Sequence, residues 1–403
     1  MSSAGRTGDG VRSDCRITFE ADAGVHIDIQ SKVKSLYGRQ IEEQIRADLK
    51  HMGITGARIA VEDAGALPFA LSARLETAVR RAGVTVNFPV CPEQRVEHKA
   101  SPKQRLRRSR LYLPGNLPHL FINAALHEPD GVILDLEDSV SQEEKDAARV
   151  MVRNALLAVD FMDCERMVRV NQLPLGLEDL EWVVPYGAQM ILLPKCESAD
   201  QVQQTAEKIE SLHPEHPVWI MPVIETALGC FHAPDIATAS GRVASLTLGL
   251  QDYLADLGVP LTPEGRESLW AKSQVVNAAR AAGLNASDAV YADVSDADGL
   301  RYYALQSRQL GYEGMGCIHP RQIKIVHEVF RPSRDEIDRA QAVLRAYDRG
   351  VAEGTGVTAV DSKMVDAPIV KSARKIVDLA VKLGLLSEPW RTREADGGCD
   401  DET

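Results

Sequence analysis

Carboxylates follow apolar segments at several places in this sequence. The stretch GVILDLEDSV, residues 131–140, carries three of them, and Glu225 and Asp252 each follow an apolar run further along. Removing a carboxylate from water is unfavourable unless a cation or hydrogen bonds compensate it. Two carboxylates facing one pocket raise each other's pKa unless a cation neutralises them. Glu225 and Asp252 therefore predict a hard divalent ion, Mg²⁺ or Mn²⁺, since no His or Cys lies beside them.

Other apolar segments end in residues that could bind an anion. Arg169 and Asn171 follow one such segment, Lys195 the next, and His319 the last. An arginine suits a substrate carboxylate or a developing enolate oxygen. Structural alternatives stay open: Arg169 could bind the rim of the fold, and either acid could pair with Arg169 or Lys195. His319, before Pro320, could equally cap backbone groups.

The longest basic stretch, VEHKASPKQRLRRSR, covers residues 96–110. Arg107, Arg108 and Arg110 stand there at the entrance to an apolar segment. They could belong to a solvated linker, or they could bind a small anionic ligand such as a nucleotide phosphate.

From Ser109 onwards, short apolar segments alternate with helical ones, a pattern typical of parallel sheets with crossover helices. The eight predicted strands are RLYLPG, GVILDLED, RMVRVN, QMILLPK, VWIMPVIE, ASLTLGLQD, DAVYADV and GMGCIHP. Eight such units predict an α/β fold, a (β/α)8 TIM barrel. Active sites of these barrels lie at the C-terminal ends of the strands, where the polar residues above are found.

The remaining sequence predicts smaller parts around the barrel. RITFEA and VHIDIQ indicate paired strands in a small α+β domain, and a Gly-rich loop near the C-terminus has the composition of a lid. The predicted divisions are a disordered tail at 1–11, the small domain at 12–85, a linker at 86–106, the barrel at 107–332, C-terminal helices and lid at 333–390, and a disordered tail at 391–403.

Charge and composition exclude several classes of protein. The 403 residues include 46 basic and 58 acidic ones, a net charge of −12 that argues against a nucleic-acid partner. No run reaches the roughly 18 apolar residues of a membrane helix, and the N-terminus does not read as a signal peptide. The 7 cysteines are scattered without a Cys-x-x-Cys pair, which indicates neither disulfides nor zinc. We expect a cytoplasmic protein.

Eight segments in order resemble the citrate lyase β-subunit family, the HpcH/HpaI-type aldolases and acyl-CoA lyases. They are RRSRLYLPGN, GVILDLEDSVSQEEKDAAR, MVRVN, ILLPKCES, MPVIETALG, LGLQDY, CIHPRQI and KMVDAP, between about Arg107 and Gly384. The resemblance implies a Mg²⁺-dependent carbon–carbon lyase. Such an enzyme cleaves a 3-hydroxyacyl thioester (citryl, citramalyl or malyl, on CoA or an acyl carrier) through an enolate. The products are an acetyl-type thioester and a 2-oxo acid.

The resemblance also implies roles for individual residues. Glu225 and Asp252 would bind the metal, Asp138 would support it through water, Arg169 would stabilise the enolate, and Asp366 in the predicted lid would exchange the proton at carbon. It further implies a homo-oligomer, a trimer or hexamer, with the lid crossing between subunits. A transferase α-subunit is a further implied partner. With such a substrate, Arg107, Arg108 and Arg110 could bind the phosphates of a CoA or phosphopantetheine arm.

The N-terminal segments DCRITFEADAGVHIDIQSKVKSLYGRQIEEQI and ARIAVEDAGALPFALSARLETAVRRA resemble the citrate lyase γ-subunit, an acyl carrier protein. The resemblance implies a phosphoribosyl-dephospho-CoA group on Ser13, although the Gly-Thr-Leu-Glu-Ser context of the family is missing and Arg12 replaces an acid. The domain could instead pack on the barrel, bind free CoA or mediate assembly.

The barrel segments depart from the family pattern at two positions. Gln251 stands where relatives commonly have Glu, and Met315 where Lys is frequent.

Two other functions compete with the lyase. A thioester hydrolase would use the same metal but direct water at the thioester carbonyl, and a non-catalytic carrier or scaffold subunit would need partner chains. The joint presence of Arg169, Glu225, Asp252 and Asp366 argues against an inactive barrel.

Strand alternation directs Asp135 and Glu137 into the barrel, and we expect Asp135 to be a structural acid paired with a basic residue.

Overall fold

The computed structural model describes residues 1–93, 97, 99–262, 264–352, 358–360, 363–388 and 390. The chain divides into two compact units, Met1–Val326 and His327–Thr403. The first unit contains the N-terminal domain together with the barrel.

The N-terminal domain is a four-stranded sheet covered by two helices. Its elements are β1 Ser2–Gly5, β2 Cys15–Glu20, β3 Val25–Ser31, α1 Lys34–His51, β4 Ala57–Asp63 and α2 Pro68–Arg81. The strand order is β1-β2-β4-β3, in which only β3 and β4 are parallel. Ile59 and Val61 on one face of β4 are buried in a core with Ile45 of α1. This alternation is expected where helices cover one face of a sheet.

Two sequence predictions about this domain are wrong. Residues 1–11 are predicted to be disordered, but β1 lies within them, pairs with β2 and buries Ala4 in the core. The small, polar, Gly-rich composition of the segment predicts disorder because composition carries no information about the hydrogen bonds to β2 that stabilise it. RITFEA and VHIDIQ are predicted to pair with each other, yet both pair with β4, which lies between them. Period-two patterning identifies strands without naming their partners.

Eight parallel strands follow in the same unit. They are β5 Ser109–Pro114, β6 Gly131–Asp135, β7 Glu165–Arg169, β8 Met190–Leu193, β9 Trp219–Ile224, β10 Ser245–Leu248, β11 Asn285–Ser287 and β12 Met315–Cys317. The sheet order is β11-β10-β9-β8-β7-β6-β5-β12. Asp288, directly after β11, bridges Met315 of β12, so the two edges of the sheet meet. The predicted TIM barrel is confirmed.

Helices connect these strands on the outside of the barrel. They are α3 Pro118–Phe121, α4 Lys145–Ala158, α5 Leu175–Val183, α6 Ala199–Ser211, α7 Ala227–Thr238, α8 Leu250–Leu257, α9 Arg266–Ala281, α10 Ala297–Leu310 and α11 Pro320–Phe330. Short 3-10 turns occupy Ala124–His127, Gln142–Glu144 and Val184–Tyr186. The seventh strand lies earlier than predicted, because Asn285–Ser287 form it and most of DAVYADV is the following loop.

The N-terminal domain packs on the barrel through α2. Glu76 of α2 pairs with Arg153 of α4, both side chains being buried, with Nη2 2.7 Å from Oε2. Arg74 of α2 pairs with the buried Asp14 at 2.9 Å and donates a 2.8 Å hydrogen bond to the carbonyl oxygen of Asn116, in the loop after β5. Separating such groups would leave charges unpaired in the protein interior. The domain is therefore fixed on the barrel.

The second unit contains α12 Arg334–Ala352, α13 Ala367–Lys382 and a two-stranded antiparallel ladder, β13 Thr358–Val360 with β14 Lys363–Val365. Leu344 and Val377 belong to its hydrophobic core. The ladder lies in the segment predicted as a Gly-rich loop. The predicted tail at 391–403 lies outside the described residues. Among the helices that are described, none has the length and apolar character needed to span a membrane.

Candidate active site

Arg169, at the C-terminal end of β7, is held by Asp135 at the end of β6. Its Nε and Nη2 donate to the two carboxylate oxygens of Asp135, both at 2.7 Å. Burial opposes ionisation of Asp135, but the hydrogen bonds from Arg169 outweigh it and keep the pKa of the carboxyl below its ordinary value. The bidentate pair fixes the plane of the guanidinium. Asp135 is thus the paired acid that the sequence predicts, and Arg169 is its partner.

Glu137 and Asp138 follow in the loop after β6. Arg169 Nη1 lies 3.0 Å from Glu137 Oε2, an oxygen that accepts no hydrogen bond from any described residue. Burial raises the pKa of Glu137, and the charge of Arg169 partly opposes the rise. Asp138 is exposed. Asp138 thus directly follows Glu137 in the sequence, and its predicted role of supporting the metal through water remains a prediction.

Glu225, directly after β9, is a buried carboxylate at the same end of the barrel. Its side chain is 2% exposed, and one oxygen accepts a 2.6 Å hydrogen bond from the backbone N–H of Lys195. Burial raises the pKa of Glu225 to about 8, and the nearby charge of Asp252 contributes to the rise. A Cβ on Gly249 would lie 2.2 Å from Glu225 Oε2. Glycine at that position leaves room for the carboxylate.

Asp252 lies in the first turn of α8, with its side chain partly exposed. Lys195 Nζ approaches it at 3.6 Å, a loose ion pair of two partly exposed groups. Glu225 and Asp252 together fit a Mg²⁺ ion, because one buried and one accessible carboxylate supply oxygen ligands and leave positions for water and substrate. No cluster of three or more His, Cys, Asp or Glu side chains suited to a metal occurs in the described part of the chain. Both residues remain predicted ligands.

These groups line a cavity of about 290 Å³ at the mouth of the barrel. Asp135, Arg169, Glu225 and Asp252 all contribute to its wall. A second cavity of about 780 Å³ shares Leu250, Gln251 and Val290 with it and is lined otherwise by residues of α9, α10 and the loops that precede these helices. The pair of cavities could hold a small polar group and a longer arm attached to it.

The prediction that Arg107 and Arg108 bind CoA phosphates is wrong. Arg107 is buried and pairs with Glu165 at 2.6 Å, and Arg108 pairs with Asp130 at 2.7 Å. Both arginines precede β5 and so lie at the N-terminal end of the barrel, opposite the cavity. The sequence could not reveal these two ion pairs, because Glu165 and Asp130 lie on another strand and in a loop.

Arg110 and Asn171 are also placed differently from what the sequence predicts. Arg110 is 1% exposed and points into the barrel, so it does not stand at an entrance where phosphates could reach it. Asn171 donates through its backbone N–H and its amide to the buried Asp179, at 2.7 and 2.8 Å. Its amide group therefore holds the loop after β7, and the predicted contact of that group with substrate is not supported.

His319 and Ser13 are not among the residues that line the cavity, and Asp366 belongs to the second unit. His319 Nδ1 accepts a hydrogen bond from the backbone N–H of Arg321, which is the capping alternative considered for it. Ser13 lies in the loop between β1 and β2 with a left-handed φ of 53°. Asp366, in the second unit, is the N-cap of α13 and accepts a 3.2 Å hydrogen bond from the backbone N–H of Ile369.

Three residues of this region have positions that the sequence did not indicate. Gly249 makes space for Glu225, Tyr112 lies against Arg169 with 5.3 Å between the guanidinium carbon and the ring centre, and Arg110 occupies the interior. The only available sequence signal was the inward period of two along β5, which places Arg110 and Tyr112 on one face.

Residues 108–320 match the family described as HpcH/HpaI aldolase/citrate lyase. The chain belongs to this family. Residues 5–82 match an ACP family described as the malonate decarboxylase delta subunit. The predicted β-subunit family and the acyl-carrier character of the N-terminal domain are confirmed.

The individual relatives include lyases and a thioesterase. The citrate lyase subunit beta of Escherichia coli K12 is 38% identical over 293 residues, 71% of this chain and 97% of that protein. The (3S)-malyl-CoA thioesterase of Cereibacter sphaeroides ATCC 17025 is 36% identical over 280 residues, 69% of this chain and 94% of that protein. Among solved structures, Mycobacterium tuberculosis CitE in complex with magnesium, acetoacetate and coenzyme A has 31% identity and a TM-score of 0.59, over 69% of this chain and 99% of that one. The predicted lyase class of enzyme is confirmed.

Proposed function

We propose that this family member cleaves the carbon–carbon bond of a 3-hydroxyacyl thioester that bears a carboxylate. The observation that carries the proposal is the joint placement of two groups on one cavity: Arg169, fixed by Asp135, and the buried Glu225. The first is a rigid cation for a developing oxyanion, and the second is a carboxylate suited to a divalent ion. An enolate-forming cleavage needs both.

The residues divide the reaction between them. When bound by Glu225 and Asp252, Mg²⁺ supplies Lewis-acid stabilisation of the substrate's hydroxyl and adjacent carboxylate oxygens. Arg169 donates hydrogen bonds to the thioester oxygen as it becomes an enolate, and its bidentate pairing with Asp135 keeps it oriented before the reaction begins. Asp138 supports the metal site through water, and Asp366 exchanges the proton at the enolate carbon.

The thioester arm extends from the smaller cavity into the larger one. A cavity of about 290 Å³ is too small for a CoA moiety, and the adjoining cavity of about 780 Å³ offers the space. The exposed Arg266 lines it and provides the cation for phosphate that Arg107 and Arg108 do not provide. In the Mycobacterium tuberculosis relative, magnesium and coenzyme A are bound together.

The acyl group is carried either by CoA or by a phosphoribosyl-dephospho-CoA group on Ser13. The contact of Arg74 with Asp14 and Asn116 places the loop that contains Ser13 beside the C-terminal end of β5, the end at which the cavity opens. A homo-oligomer, a trimer or hexamer, and a transferase α-subunit partner complete the proposal. The intact mass of the purified chain reports the modification directly.

A substrate panel tests the proposed function. The full chain is incubated with citryl-CoA, both enantiomers of citramalyl-CoA, or malyl-CoA, with and without Mg²⁺, and 2-oxo acid release is followed. We expect release from one of these substrates only with Mg²⁺, and its loss in Glu225→Ala. If no thioester is cleaved by the unmodified chain, or if Glu225→Ala leaves the rate unchanged, the proposal is wrong.

A thioester hydrolase is the second candidate, and the relation to the Cereibacter sphaeroides thioesterase favours keeping it. Hydrolysis would direct water at the thioester carbonyl and use the same metal ligands. It releases a free thiol and the intact hydroxy acid, so a thiol-specific reagent separates it from the lyase.

A further inference from the structure

Arg110 on β5 is a cation buried inside the barrel without a carboxylate partner. Its Nη2 donates to Thr247 Oγ1 at 3.2 Å and to the carbonyl oxygen of Asp288 at 3.0 Å, and Nη1 lies 3.0 Å from Met221 Sδ. Its Nε is buried and donates to no described residue. A buried guanidinium that is left without a counter-charge is unfavourable, so this one is suited to an anion that arrives from outside.

The nearest acid is already occupied. One carboxylate oxygen of Asp288 accepts hydrogen bonds from Lys272 Nζ at 3.0 Å and from Ser307 Oγ at 2.5 Å. The other accepts a 2.8 Å hydrogen bond from the backbone N–H of Ala289. Arg110 meets only the backbone oxygen of Asp288, and it belongs to none of the ion pairs between described residues. Its guanidinium therefore lines the cavity without a carboxylate in contact among the described residues.

The position of Arg110 within the cavity indicates which part of a substrate it meets. Arg110, Tyr112 and Pro114 share the inner face of β5, and Pro114 lies in register with Asp135, which holds Arg169. The guanidinium contacts Thr247, one residue before the end of β10. Arg110 thus lies at the floor of the cavity, below Arg169.

The orientation of the substrate follows from its size. A CoA or carrier arm cannot enter the floor of a cavity of about 290 Å³, so the thioester end must face the opening. The 2-oxo acid half of the molecule then points inward. The bond breaks at the carbon that becomes the ketone of this half. The substituent on the far side of that carbon reaches the region of Arg110.

We propose that Arg110 binds a second carboxylate on the 2-oxo acid half, so that the site selects a substrate whose cleavage yields a dicarboxylic 2-oxo acid. The inference rests on the proposed function for its orientation of the substrate. A hydrogen or methyl group at that position would leave the guanidinium buried and unpaired. Sites built to pair a polar group reject analogues that lack it much more strongly than apolar pockets do.

Calorimetric binding of two products to the full chain with Mg²⁺ tests the assignment without requiring turnover. The probes are freshly prepared oxaloacetate, which has the second carboxylate, and pyruvate, which has a methyl group instead. We expect oxaloacetate to bind at least roughly 100-fold more tightly. Arg110→Met should remove most of that preference and leave pyruvate affinity unchanged, and Arg110→Lys should recover part of it.

Each outcome decides the inference. Equal binding of the two acids by the unmodified chain overturns it, and this measurement stands even if Arg110→Met does not fold. Equal weakening of both acids in folded Arg110→Met, checked by its thermal midpoint, also overturns it, since that result indicates a structural role. If the chain cleaves no thioester yet prefers oxaloacetate through Arg110, the proposed function fails while the anion site stands.

Discussion

Single residues set the chemistry of this site through carboxylates that are kept out of water. Asp135 remains ionised because Arg169 pairs with it through two hydrogen bonds. Glu225 lacks a side-chain cation of that kind, and burial raises its pKa to about 8. The two acids differ in what compensates them, and only Glu225 needs an added cation to be ionised at neutral pH.

Mg²⁺ affinity should therefore depend on pH through Glu225. Below about pH 8 the ion must displace a proton from this carboxyl, so affinity should fall by up to about tenfold per pH unit as the pH is lowered, and level off above pH 8. Glu225→Gln should weaken Mg²⁺ binding roughly 100-fold or more. Calorimetric titration between pH 6 and pH 9 measures both effects, and a pH-independent affinity would contradict the assignment.

Asp366 offers a substitution that separates catalysis from folding. Asparagine caps helices as well as aspartate does, so Asp366→Asn should keep α13 intact while removing the carboxyl that we propose exchanges a proton. We expect the cleavage rate to fall by about 100-fold or more and the thermal midpoint to stay within measurement error. Steady-state rates and thermal unfolding provide the comparison. An unchanged rate would remove Asp366 from the mechanism.

Most residues of the site can be predicted from the sequence, because a polar residue directly after an apolar run marks the end of a strand. Arg169, Glu225 and Asp252 were found in that way, and all three line the cavity. The partners of Arg107 and Arg108 were not found, because ion pairs between separate strands leave no local pattern. Their position before the first barrel strand, in contrast, does place them at the N-terminal end of the barrel, opposite the site.

At the scale of elements, the turn between β10 and α8 holds Glu225 and Asp252 in one place. Gly249 lies between the strand and the helix, and the space above its Cα is occupied by the Glu225 side chain. The seventh strand shows the limit of patterning: Val290 and Tyr291 are strand-forming types, yet the ladder uses Asn285–Ser287. The segment that forms the strand is determined by barrel closure, because the strand must be in register with both of its neighbours.

Gly249→Ala should displace the Glu225 carboxylate, because the new Cβ would lie 2.2 Å from Oε2. We expect Mg²⁺ affinity to fall by about 10- to 100-fold, as for changes in groups that orient a ligand. Gly241→Ala is the matched control, since a Cβ there meets nothing within 4 Å. Equal Mg²⁺ affinities in the two variants would show that Gly249 does not position Glu225.

At the scale of the whole molecule, the carrier-like domain is built into the enzyme. The buried Glu76–Arg153 pair joins it to α4, and the hydrogen bond from Arg74, itself paired with Asp14, to the carbonyl oxygen of Asn116 joins it to the loop after β5. This supports the alternative in which the domain packs on the barrel. The sequence could not reveal it, because Glu76 and Arg153 are 77 residues apart and nothing local marks them as partners.

Breaking this docking contact should destabilise the whole first unit. Arg153→Met leaves Glu76 buried and only partly compensated, so we expect the free energy of unfolding to fall by about 3 kcal/mol. Arg46→Met is the control, because its pair with Glu42 is on the surface and should contribute under about 1 kcal/mol. Urea unfolding measures both. A separate early transition of the N-terminal domain in the unmodified chain would contradict fixed docking.

We propose above all that the barrel breaks a carbon–carbon bond with the help of a divalent ion. The most direct test is product stoichiometry in a single turnover of the preferred thioester with Mg²⁺, following 2-oxo acid, acetyl-type thioester and free thiol together. We predict one 2-oxo acid and one acetyl-type thioester for each substrate consumed, with no free thiol and no reaction in Glu225→Ala. Release of free thiol with intact hydroxy acid would contradict the lyase and leave the hydrolase.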